Sequence, residues 1–498
     1  MIPVPGIRIV DLNGAPLRAE GSYVLYWMIA ARRSTWNFAL DRAVSLALEL
    51  NRPLVVLEAL RVGYPWASDR LHRFILDGMA DNLRSFEKRR VLYHPYVEAE
   101  PEDGKGLLRA LAEKACVVVT DAFPAFFLPR MTAAAASRLK VRTEEVDGNG
   151  LLPLDDAERA FPTAYVFRRY LQKRLRDRLS ERPKRDPLAG ISLPFLQTLP
   201  SKILQRWPRA DGRLLEGDPA PLARLPLDHS VPVSGQRGGS RRAEEILAAF
   251  LSELLDRYAA EHNQPEADVS SGLSPYLHFG HISSHEVVHR VLDREGWSME
   301  RLASKATGSR SGWWGVGEAA EAFLDQVITW RELGFNTCSH LQGYDRYETL
   351  PAWALETLAE HRKDPRPYTY DLATFRDGRT HDPLWNAAQG QLLREGRIHN
   401  YLRMLWGKKI LEWTSTPEEA LEVLVELNNR YALDGRDPNS YSGIFWVLGR
   451  HDRAWGPERP IFGKVRYMSS ENTARKVRVR EYVRKYTPPL EGHRPSFT

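Results

Sequence analysis

Cysteine is nearly absent from this 498-residue sequence, which contains only Cys116 and Cys338. Small secreted proteins are usually held together by several disulfides. Two cysteines cannot form such a framework, and so few cysteines are consistent with a protein of a reducing compartment. The sequence also lacks an uncharged apolar run of about 18 residues, which excludes a transmembrane helix. Residues 1–18 lack the basic start and apolar core of a secretory signal. We therefore expect a cytoplasmic protein without a membrane partner.

Two functional signatures are missing or incomplete. No Gly-x-Gly-x-x-Gly follows the first predicted strand, which excludes a dinucleotide-binding fingerprint. The segment His285-Glu286-Val287-Val288-His289 matches the zinc-protease pattern H-E-x-x-H, but no third ligand follows at the usual spacing. We therefore expect no metal site and predict that His285 and His289 face solvent on a helix.

Charge and aromatic content leave room for a nucleic-acid partner. The net charge is +6, a mild excess that admits a polyanion. The chain has 14 tryptophans, which is more than packing usually requires, and several lie in the C-terminal half. Its length suggests about three domains.

The first 135 residues alternate apolar strands with amphipathic helices, which is typical of a parallel, Rossmann-like α/β domain. The predicted strands are 23–27, 54–57, 91–93 and 116–120, and the predicted helices are 37–50, 70–89 and 104–114. Residues 136–240 are rich in Pro, Gly and charge and are predicted to form a long linker. Residues 241–498 are predicted to be an all-α domain, with helices at 244–260, 284–293, 319–334, 351–361, 384–413 and 417–431.

A cluster of small residues precedes Pro275 and predicts a helix start. The cluster is Ser270, Ser271, Gly272, Leu273 and Ser274. Hydroxyl groups and free N–H groups at a helix N-terminus form a site for an anion such as a diphosphate. Ordinary helix capping explains the same residues and is the alternative.

Helical spacing also places Gln326, Trp330 and Leu333 on one face. An amide beside an indole is suited to gripping a flat heteroaromatic ring. The alternative is a core face that contains one satisfied glutamine.

The segment 400–413 mixes bulky aromatics with polar groups. With about 100° per residue, four residues share one helix face: Asn400, Arg403, Met404 and Gly407. A buried Arg403 requires an anion, and Asp434 is the predicted partner. Trp406 and Trp413 are two turns apart on another face and are candidates for electron transfer, with ordinary core packing as the alternative.

A basic stretch at 464–485 is interleaved with tyrosines. Its cations are Lys464, Arg466, Arg475, Lys476, Arg478, Arg480, Arg484 and Lys485. Cations pair with phosphates while aromatic rings contact bases, so this stretch is a candidate DNA surface. A solvated helix face is the alternative.

Taken together, these segments resemble the photolyase/cryptochrome family, and specifically class II cyclobutane pyrimidine dimer photolyases of the bacterial type. The resemblance covers nearly the whole chain, and its motifs occur in the order of the family. The motifs are SGLSPYLHFGHIS at 271–283, WREL at 330–333, THDPLWNAAQ at 380–389, RMLWGKKILEWT at 403–414, LDGRDPN at 433–439 and RPIFGKVRYM at 459–468.

The resemblance implies an antenna domain, a linker and a helical domain that holds FAD. It implies light-driven repair, in which photoexcited reduced FAD passes an electron to a pyrimidine dimer flipped out of DNA. The implied FAD-binding residues are Tyr258, Ser270, Ser271, Gly272, Leu273, Ser274, Arg331, Asn400, Arg403, Asn428, Asp434 and Asp437. Arg403 and Asp434 are implied to pair beside the isoalloxazine ring, and Asn428 to face its N5.

Further residues match the reaction and the DNA. The implied walls of the dimer pocket are Gln326, Trp330, Met404 and Trp446. The implied photoreduction chain is Trp406, Trp385 and Trp413, with Trp406 nearest the flavin and Trp413 at the surface. Lys464 and Arg466 are the implied DNA contacts, in an enzyme with little sequence preference that we expect to be a monomer.

The sequence departs from the class II pattern in four places. Gln326 stands where many class II enzymes carry a glutamate that hydrogen-bonds the dimer. His262 replaces the usual arginine four residues after Tyr258, and Asn400 replaces a glycine. Residues 30–36 lack the usual Arg-Asp-Gln-Arg run, which leaves the second, antenna chromophore open between a deazaflavin and a folate.

Two alternatives stay open. A cryptochrome-like photoreceptor would use the same flavin to signal, and a long C-terminal tail would favour it. Only 12 residues follow Tyr486, and the retained Met404, Trp330 and Trp446 favour repair. A (6-4) photoproduct is the alternative substrate, although no pair of histidines matches the one that usually handles that lesion.

Overall fold

The computed structural model describes residues 3–487 and begins with a six-stranded sheet. The strands are β1 (Ile9–Asp11), β2 (Tyr23–Met28), β3 (Leu54–Leu60), β4 (Leu92–Val97), β5 (Ala115–Asp121) and β6 (Thr143–Val146). Their order across the sheet is β1-β6-β5-β2-β3-β4. All neighbouring pairs are parallel except β1, which is antiparallel to β6.

Helices cover both faces of this sheet. The helices up to residue 222 are α1 (Phe38–Glu49), α2 (Asp69–Lys88), α3 (Leu107–Ala112), α4 (Leu128–Ala136), α5 (Ala164–Arg178), α6 (Ser201–Arg206), α7 (Gly212–Glu216) and α8 (Pro219–Leu222). Every residue of β2 and β5 is buried, as expected for central strands of a parallel sheet covered on both sides. Phe38 and Phe86 pack on one face, and Leu111 and Trp207 on the other.

The predicted α/β domain is confirmed, but its predicted C-terminal boundary was wrong and the prediction lacked the edge strands β1 and β6. A boundary at residue 135 removes β6 from the sheet, and β1 makes the sheet mixed rather than purely parallel. β1 has three residues, and β6 carries Glu144 and Glu145. Short, charged edge strands lack the apolar run that identifies central parallel strands, so the sequence pattern does not reveal them.

The segment predicted as a linker is largely structured. It contains β6 and α5 to α8. Phe167, Leu171 and Leu175 of α5 are buried in a hydrophobic core that also contains Phe250 and Phe323 from the C-terminal half. This segment therefore packs onto the helical part and helps to build it.

Residues 240–487 form helices and connecting segments without a β-strand, as predicted. The helices are α9 (Ser240–Ala249), α10 (Tyr258–Glu261), α11 (Ser274–His278), α12 (Ser284–Arg294), α13 (Glu318–Leu324), α14 (Arg331–His340), α15 (Ala352–Glu360), α16 (Leu372–Asp377), α17 (Pro383–Glu395), α18 (Asn400–Trp413), α19 (Pro417–Tyr431), α20 (Pro438–Val447), α21 (Ser470–Lys476) and α22 (Arg480–Tyr486). None of the helices between residues 3 and 487 is long and apolar enough to cross a membrane.

The helix predicted at 384–413 is divided in two. Gly396 adopts a φ of 71° at the end of α17, and α18 begins at Asn400. A glycine in the left-handed conformation is a common helix C-terminus. The break turns α18 so that it packs beside α17, and Trp385 meets Trp406 between the two helices.

Arg70 of α2 joins the two halves of the molecule. Its guanidinium donates hydrogen bonds to the carbonyl oxygens of Leu392, Leu393 and Tyr431, at 3.1, 2.5 and 2.8 Å. These carbonyls lie in the last turns of α17 and α19, where helices leave acceptors unpaired. The buried arginine therefore fixes the helical part against the α/β part.

Candidate active site

A cavity of about 1040 Å³ opens in the helical part. It is bounded by residues 325–330, by α18, α19 and α20, and by the segment that follows α20. Nine of the predicted site residues line it: Gln326, Trp330, Asn400, Arg403, Met404, Trp406, Asn428, Trp446 and Arg466. Residues from separate sequence motifs thus converge on one space.

Gln326 and Trp330 reach the cavity from a π-helical turn, Asp325–Trp330, inside the helix predicted at 319–334. Such turns are often found at functional sites. The preceding Asp325 is neutralised by Arg168, which donates two hydrogen bonds at 2.7 and 2.9 Å. No residue between 3 and 487 forms a hydrogen bond with the side-chain amide of Gln326. This amide is therefore free to bind a ligand.

Arg403 and Asp434 form the predicted ion pair. Two guanidinium nitrogens of Arg403 donate to the carboxylate at 2.7 and 3.2 Å, and Ser274 Oγ donates to it at 2.9 Å. Burial alone would raise the pKa of Asp434, but Arg403 and Ser274 lower it below its ordinary value. The Nε atom of Arg403 is buried and has no partner within residues 3–487.

Asn428 is held in a fixed orientation at the cavity. Its Nδ2 donates to Ser440 Oγ at 2.8 Å and to Asn429 Oδ1 at 3.2 Å. Asn429 Oδ1 in turn accepts the N–H of Arg436 at 2.9 Å. These bonds tie the end of α19 to the start of α20 and fix Asn428 at the cavity that it lines.

Three predicted tryptophans form a connected chain. Trp406 lines the cavity, and its ring stacks on that of Trp385 with centroids 6.3 Å apart and planes 6° apart. Trp413 meets Trp385 edge-on at 6.0 Å. Hydrogen bonds fix the first two rings, because Trp406 Nε1 donates to Gln389 at 3.0 Å and Trp385 Nε1 donates to the Trp406 carbonyl at 2.9 Å.

The predicted surface position of Trp413 was wrong. Only 1% of Trp413 is exposed. The rings of His381 and Tyr370 cover it, with centroids at 4.9 and 5.8 Å, and the exposed Tyr368 stacks on His381 at 3.7 Å. The segment 368–381 folds over α18, which the spacing of residues within α18 cannot reveal.

The predicted anion-binding serines do not line the cavity, and Ser274 is connected to it through Asp434, the partner of Arg403. Ser270 Oγ donates to Asp268 at 3.3 Å, and Ser271 Oγ accepts the N–H of Leu273 at 3.4 Å. Gly272 has a φ of 65°, which leads the chain into α11. Ser274 alone reaches the Arg403–Asp434 pair, so a phosphate site on this turn stays a prediction.

Tyr258 lies in a hydrophobic core and does not line the cavity. Its ring meets Phe250 and Phe323 edge-on and stacks on His262 at 4.8 Å. Burial raises the pKa of its phenol. His262, which stands in place of the family's arginine, lines the cavity instead.

Two further cofactor-binding predictions are placed elsewhere by the structure. Arg331 is directed toward the α/β part, where it donates to the Asn149 carbonyl at 2.5 Å and lies over the Phe335 ring. Asp437 accepts the N–H of Asn439 at 2.9 Å, which caps α20, and it contacts His278 at 3.2 Å. Neither residue lines the cavity, because Arg331 extends toward Asn149 and the carboxylate of Asp437 caps α20.

The prediction that both HEVVH histidines face solvent was wrong for His285. His285 is buried and its Nε2 donates to the Gly150 carbonyl at 3.0 Å. Burial lowers its pKa well below the ordinary value. His289 is partly exposed and contacts Arg182 and the ring of Trp36. In the described part of the chain, no group of His, Cys, Asp and Glu is arranged to hold a metal ion.

The segment after α20 supplies cavity residues that were not predicted from the sequence, including Arg453 and Trp455, beside the predicted Arg466. Arg466 lies 4.0 Å from the Trp455 ring and 5.4 Å from the Trp446 ring, and Arg453 lies 4.7 Å from Trp455. A salt bridge of 3.1 Å to Asp452 orients Arg466. Trp455 is a tryptophan beside a basic stretch, which was the available signal. The other predicted DNA contact, Lys464, is exposed and pairs with Glu458 at 3.3 Å.

A second cleft of about 810 Å³ opens at the carboxyl ends of β2 and β3. Its apolar walls include Trp27, Phe126 and Phe127, and Lys105 and Arg138 lie at it as well. Ligands of open α/β sheets bind at this edge. His278 and Arg436 of the helical part also line the cleft.

A comparison of folds defines the class of protein. A bacterial class III photolyase from Agrobacterium tumefaciens matches with a TM-score of 0.68, over 95% of this chain and 87% of that chain. The identity is 18%, so this likeness concerns the fold alone. The predicted fold, an α/β domain followed by an all-α domain, is therefore that of the photolyase/cryptochrome proteins.

Sequence comparisons then give the family. No family model matches the chain. A deoxyribodipyrimidine photolyase of Methanothermobacter thermautotrophicus is 36% identical over 96% of this chain and 97% of its own length. The photolyase of Potorous tridactylus is 33% identical over 97% of this chain and 84% of its own length. This chain belongs to the deoxyribodipyrimidine photolyase family, as its motifs predict.

Proposed function

We propose that the chain is a light-driven DNA photolyase of the class II branch that repairs cyclobutane pyrimidine dimers. The observation that carries the proposal is the single cavity in which Gln326, Trp330, Met404 and Trp446 meet the Arg403–Asp434 pair. The two relatives that match this chain over most of their own length are both named deoxyribodipyrimidine photolyases. Nothing among the relatives favours the cryptochrome alternative.

The residues around the cavity fit FAD. Arg403 Nε is a buried donor without a partner, and both ring nitrogens of the buried His399 also lack one within residues 3–487. Buried polar atoms are normally satisfied, and a cofactor with a polar-edged ring and a diphosphate offers such partners. When bound, the photoexcited reduced flavin supplies the electron that splits the dimer and takes it back afterwards.

The protein residues position this chemistry. Arg403, Asp434 and Asn428 would hold the flavin ring, and Ser270, Ser271 and Ser274 would bind its phosphates. Trp330, Met404 and Trp446 enclose the dimer with apolar surface and keep water away from it. Gln326 donates a hydrogen bond from its amide to a carbonyl oxygen of the dimer. A dimer leaves the duplex at low cost because its stacking is weakened.

Trp406, Trp385 and Trp413 would carry an electron from a reductant in solution to the cofactor site when the cofactor has become oxidised. Stacked or edge-on rings about 6 Å apart support electron transfer from outside the cavity toward it. The DNA binds through phosphate contacts of Arg466 and Lys464, joined by Arg453. We expect a monomer that works in the cytoplasm on damaged DNA of any sequence.

The second cleft is the site we propose for an antenna chromophore. Its apolar walls and its cations suit a flat ring with an anionic tail, which describes both a deazaflavin and a folate. Absorption spectra of the purified protein, after release of the flavin, separate the two by their near-ultraviolet and blue maxima.

One experiment tests the function directly. The holoprotein with reduced flavin is illuminated with an oligonucleotide that contains one cyclobutane dimer, and intact strand is measured against a dark control. A parallel oligonucleotide with a (6-4) photoproduct tests the alternative lesion. Loss of the cyclobutane dimer only in the light is expected. An illuminated sample that keeps every dimer would refute the proposal.

A further inference from the structure

Lys408 is a fully buried lysine beside the dimer pocket. It lies on α18, and 0% of its surface is exposed. Its Nζ donates to the Val447 carbonyl at 2.6 Å and lies 4.7 Å from the centroid of the Trp446 ring. No carboxylate forms a salt bridge with it anywhere in residues 3–487. None of the roles described above uses this residue.

A buried ammonium without a counter-ion is costly, because it loses its hydration. A buried lysine is ordinarily paired with a carboxylate, as the next residue shows: Lys409 donates to Glu412 at 2.7 Å. An uncharged side chain of similar length, such as methionine, would fill the Lys408 site without this cost. A lysine at this buried position therefore points to a role for its amino group beyond packing.

Both contacts of the ammonium concern the end of α20. Val447 is the last residue of that helix, and its carbonyl is one of those that a helix leaves unpaired. Trp446 precedes it and lines the cavity. The indole also contacts Arg466, 5.4 Å away. Lys408 thus joins α18 to the Trp446 wall of the pocket, where the indole has two cation–π contacts.

We infer that Lys408 is a positioning residue for repair: its ammonium holds the Trp446 indole at the pocket wall and gives the pocket a positive potential. This inference rests on the proposed function. In repair, one electron enters the dimer, the two bonds that join the pyrimidines break, and the electron leaves again. The dimer is therefore an anion only during bond cleavage, and a positive charge nearby favours that state.

The charge on Lys408 is sensitive to pH near neutrality. Burial lowers the pKa of Lys408 to about 7, Asp452 opposes this effect, and Arg466 adds to it. Both of these groups lie on the segment after α20, and the charged neighbours on α18 are paired with each other. The ammonium is therefore present below this pKa and is lost as the pH rises through it.

The test compares Lys408→Met, which removes the charge, with Lys408→Arg, whose guanidinium stays charged at every pH used. The exposed Lys363→Met is the matched control. Repaired dimers per absorbed photon are measured with holoprotein carrying reduced flavin, from about pH 6 to about pH 9. Dark dissociation constants for the dimer oligonucleotide and circular dichroism are measured on the same samples.

We expect the wild-type yield to fall as the pH rises through about 7, and Lys408→Arg to lose this fall. Lys408→Met should have a yield about tenfold lower that is independent of pH, with flavin content and circular dichroism unchanged. A wild-type pH profile in Lys408→Arg would overturn the inference, even if Lys408→Met fails to fold. A wild-type protein without repair at any pH would instead refute the proposed function.

Discussion

Gln326 lines the cavity, its amide has no hydrogen-bond partner among residues 3–487, and the class II pattern has a carboxylic acid at this position. Gln326→Leu keeps the volume and removes the donor, so we expect the repair yield to fall about tenfold. Gln326→Glu donates only when protonated, so its yield should rise more steeply than that of wild type as the pH falls. Repaired dimers per absorbed photon at several pH values test both variants. An unchanged yield in Gln326→Leu would show that the amide does not contact the dimer.

Trp406 connects the cavity to the other two tryptophans of the chain. Trp406→Phe raises the energy needed to oxidise this position, so light should no longer reduce the oxidised flavin. Repair by protein that was reduced chemically beforehand should stay within about twofold of wild type, because dimer splitting does not use the chain. Trp207→Phe, a buried tryptophan packed on the α/β sheet, is the matched control. Normal photoreduction in Trp406→Phe would contradict the assignment.

Single residues were predictable where chemistry demands a partner. A buried arginine requires an anion, which led from Arg403 to Asp434 although 31 positions separate them. Arg331 and Trp413 were misplaced because the direction of a helical side chain depends on what packs against the helix. Lys408 gave no signal, because a lysine in a helix is ordinarily a surface residue.

At the scale of elements, helix periodicity located most helices, but not the interruptions that shape the site. The π-helical turn at 325–330 and the break at Gly396 both lie within predicted continuous helices. Both depend on tertiary contacts: Arg168 holds Asp325, and α17 and α18 pack through Trp385 and Trp406. The helix propensities of the individual residues give no information about such contacts.

The Arg168–Asp325 pair anchors the π-helical turn, and both side chains are largely buried. Arg168→Met leaves the carboxylate of Asp325 buried without its partner, so the free energy of unfolding should fall by about 3 to 5 kcal/mol. Chemical denaturation followed by circular dichroism measures this loss. Arg242→Met removes an exposed pair with Glu245 and should change stability by less than about 1 kcal/mol. Equal effects of the two variants would argue against a structural role for the buried pair.

For the whole molecule, the sequence pattern indicated the order of an α/β part followed by a helical part, and the structure agrees. The pattern could not show how tightly the parts are joined. Residues 136–240 have a linker-like composition, yet one face of α5 is buried in the helical core. Glu332 also accepts the N–H groups of Leu151 and Leu152 at 2.7 and 3.1 Å. Such contacts span about 180 positions of sequence and leave no local periodicity.

DNA binding by the whole molecule should depend on salt through its phosphate contacts. Lys464→Ala removes one cation, so the slope of the logarithm of affinity against that of salt concentration should fall by about 0.9. Affinity for damaged and intact duplex should fall equally, because phosphates carry no information about the lesion. Arg466→Ala also removes the contact with Trp446, so it should weaken binding to damaged duplex more than to intact duplex. Fluorescence anisotropy at several salt concentrations measures both effects, with the exposed Lys88→Ala of the α/β part as control. If the salt-dependence slope of Lys464→Ala equals that of wild type, the DNA phosphates do not contact Lys464.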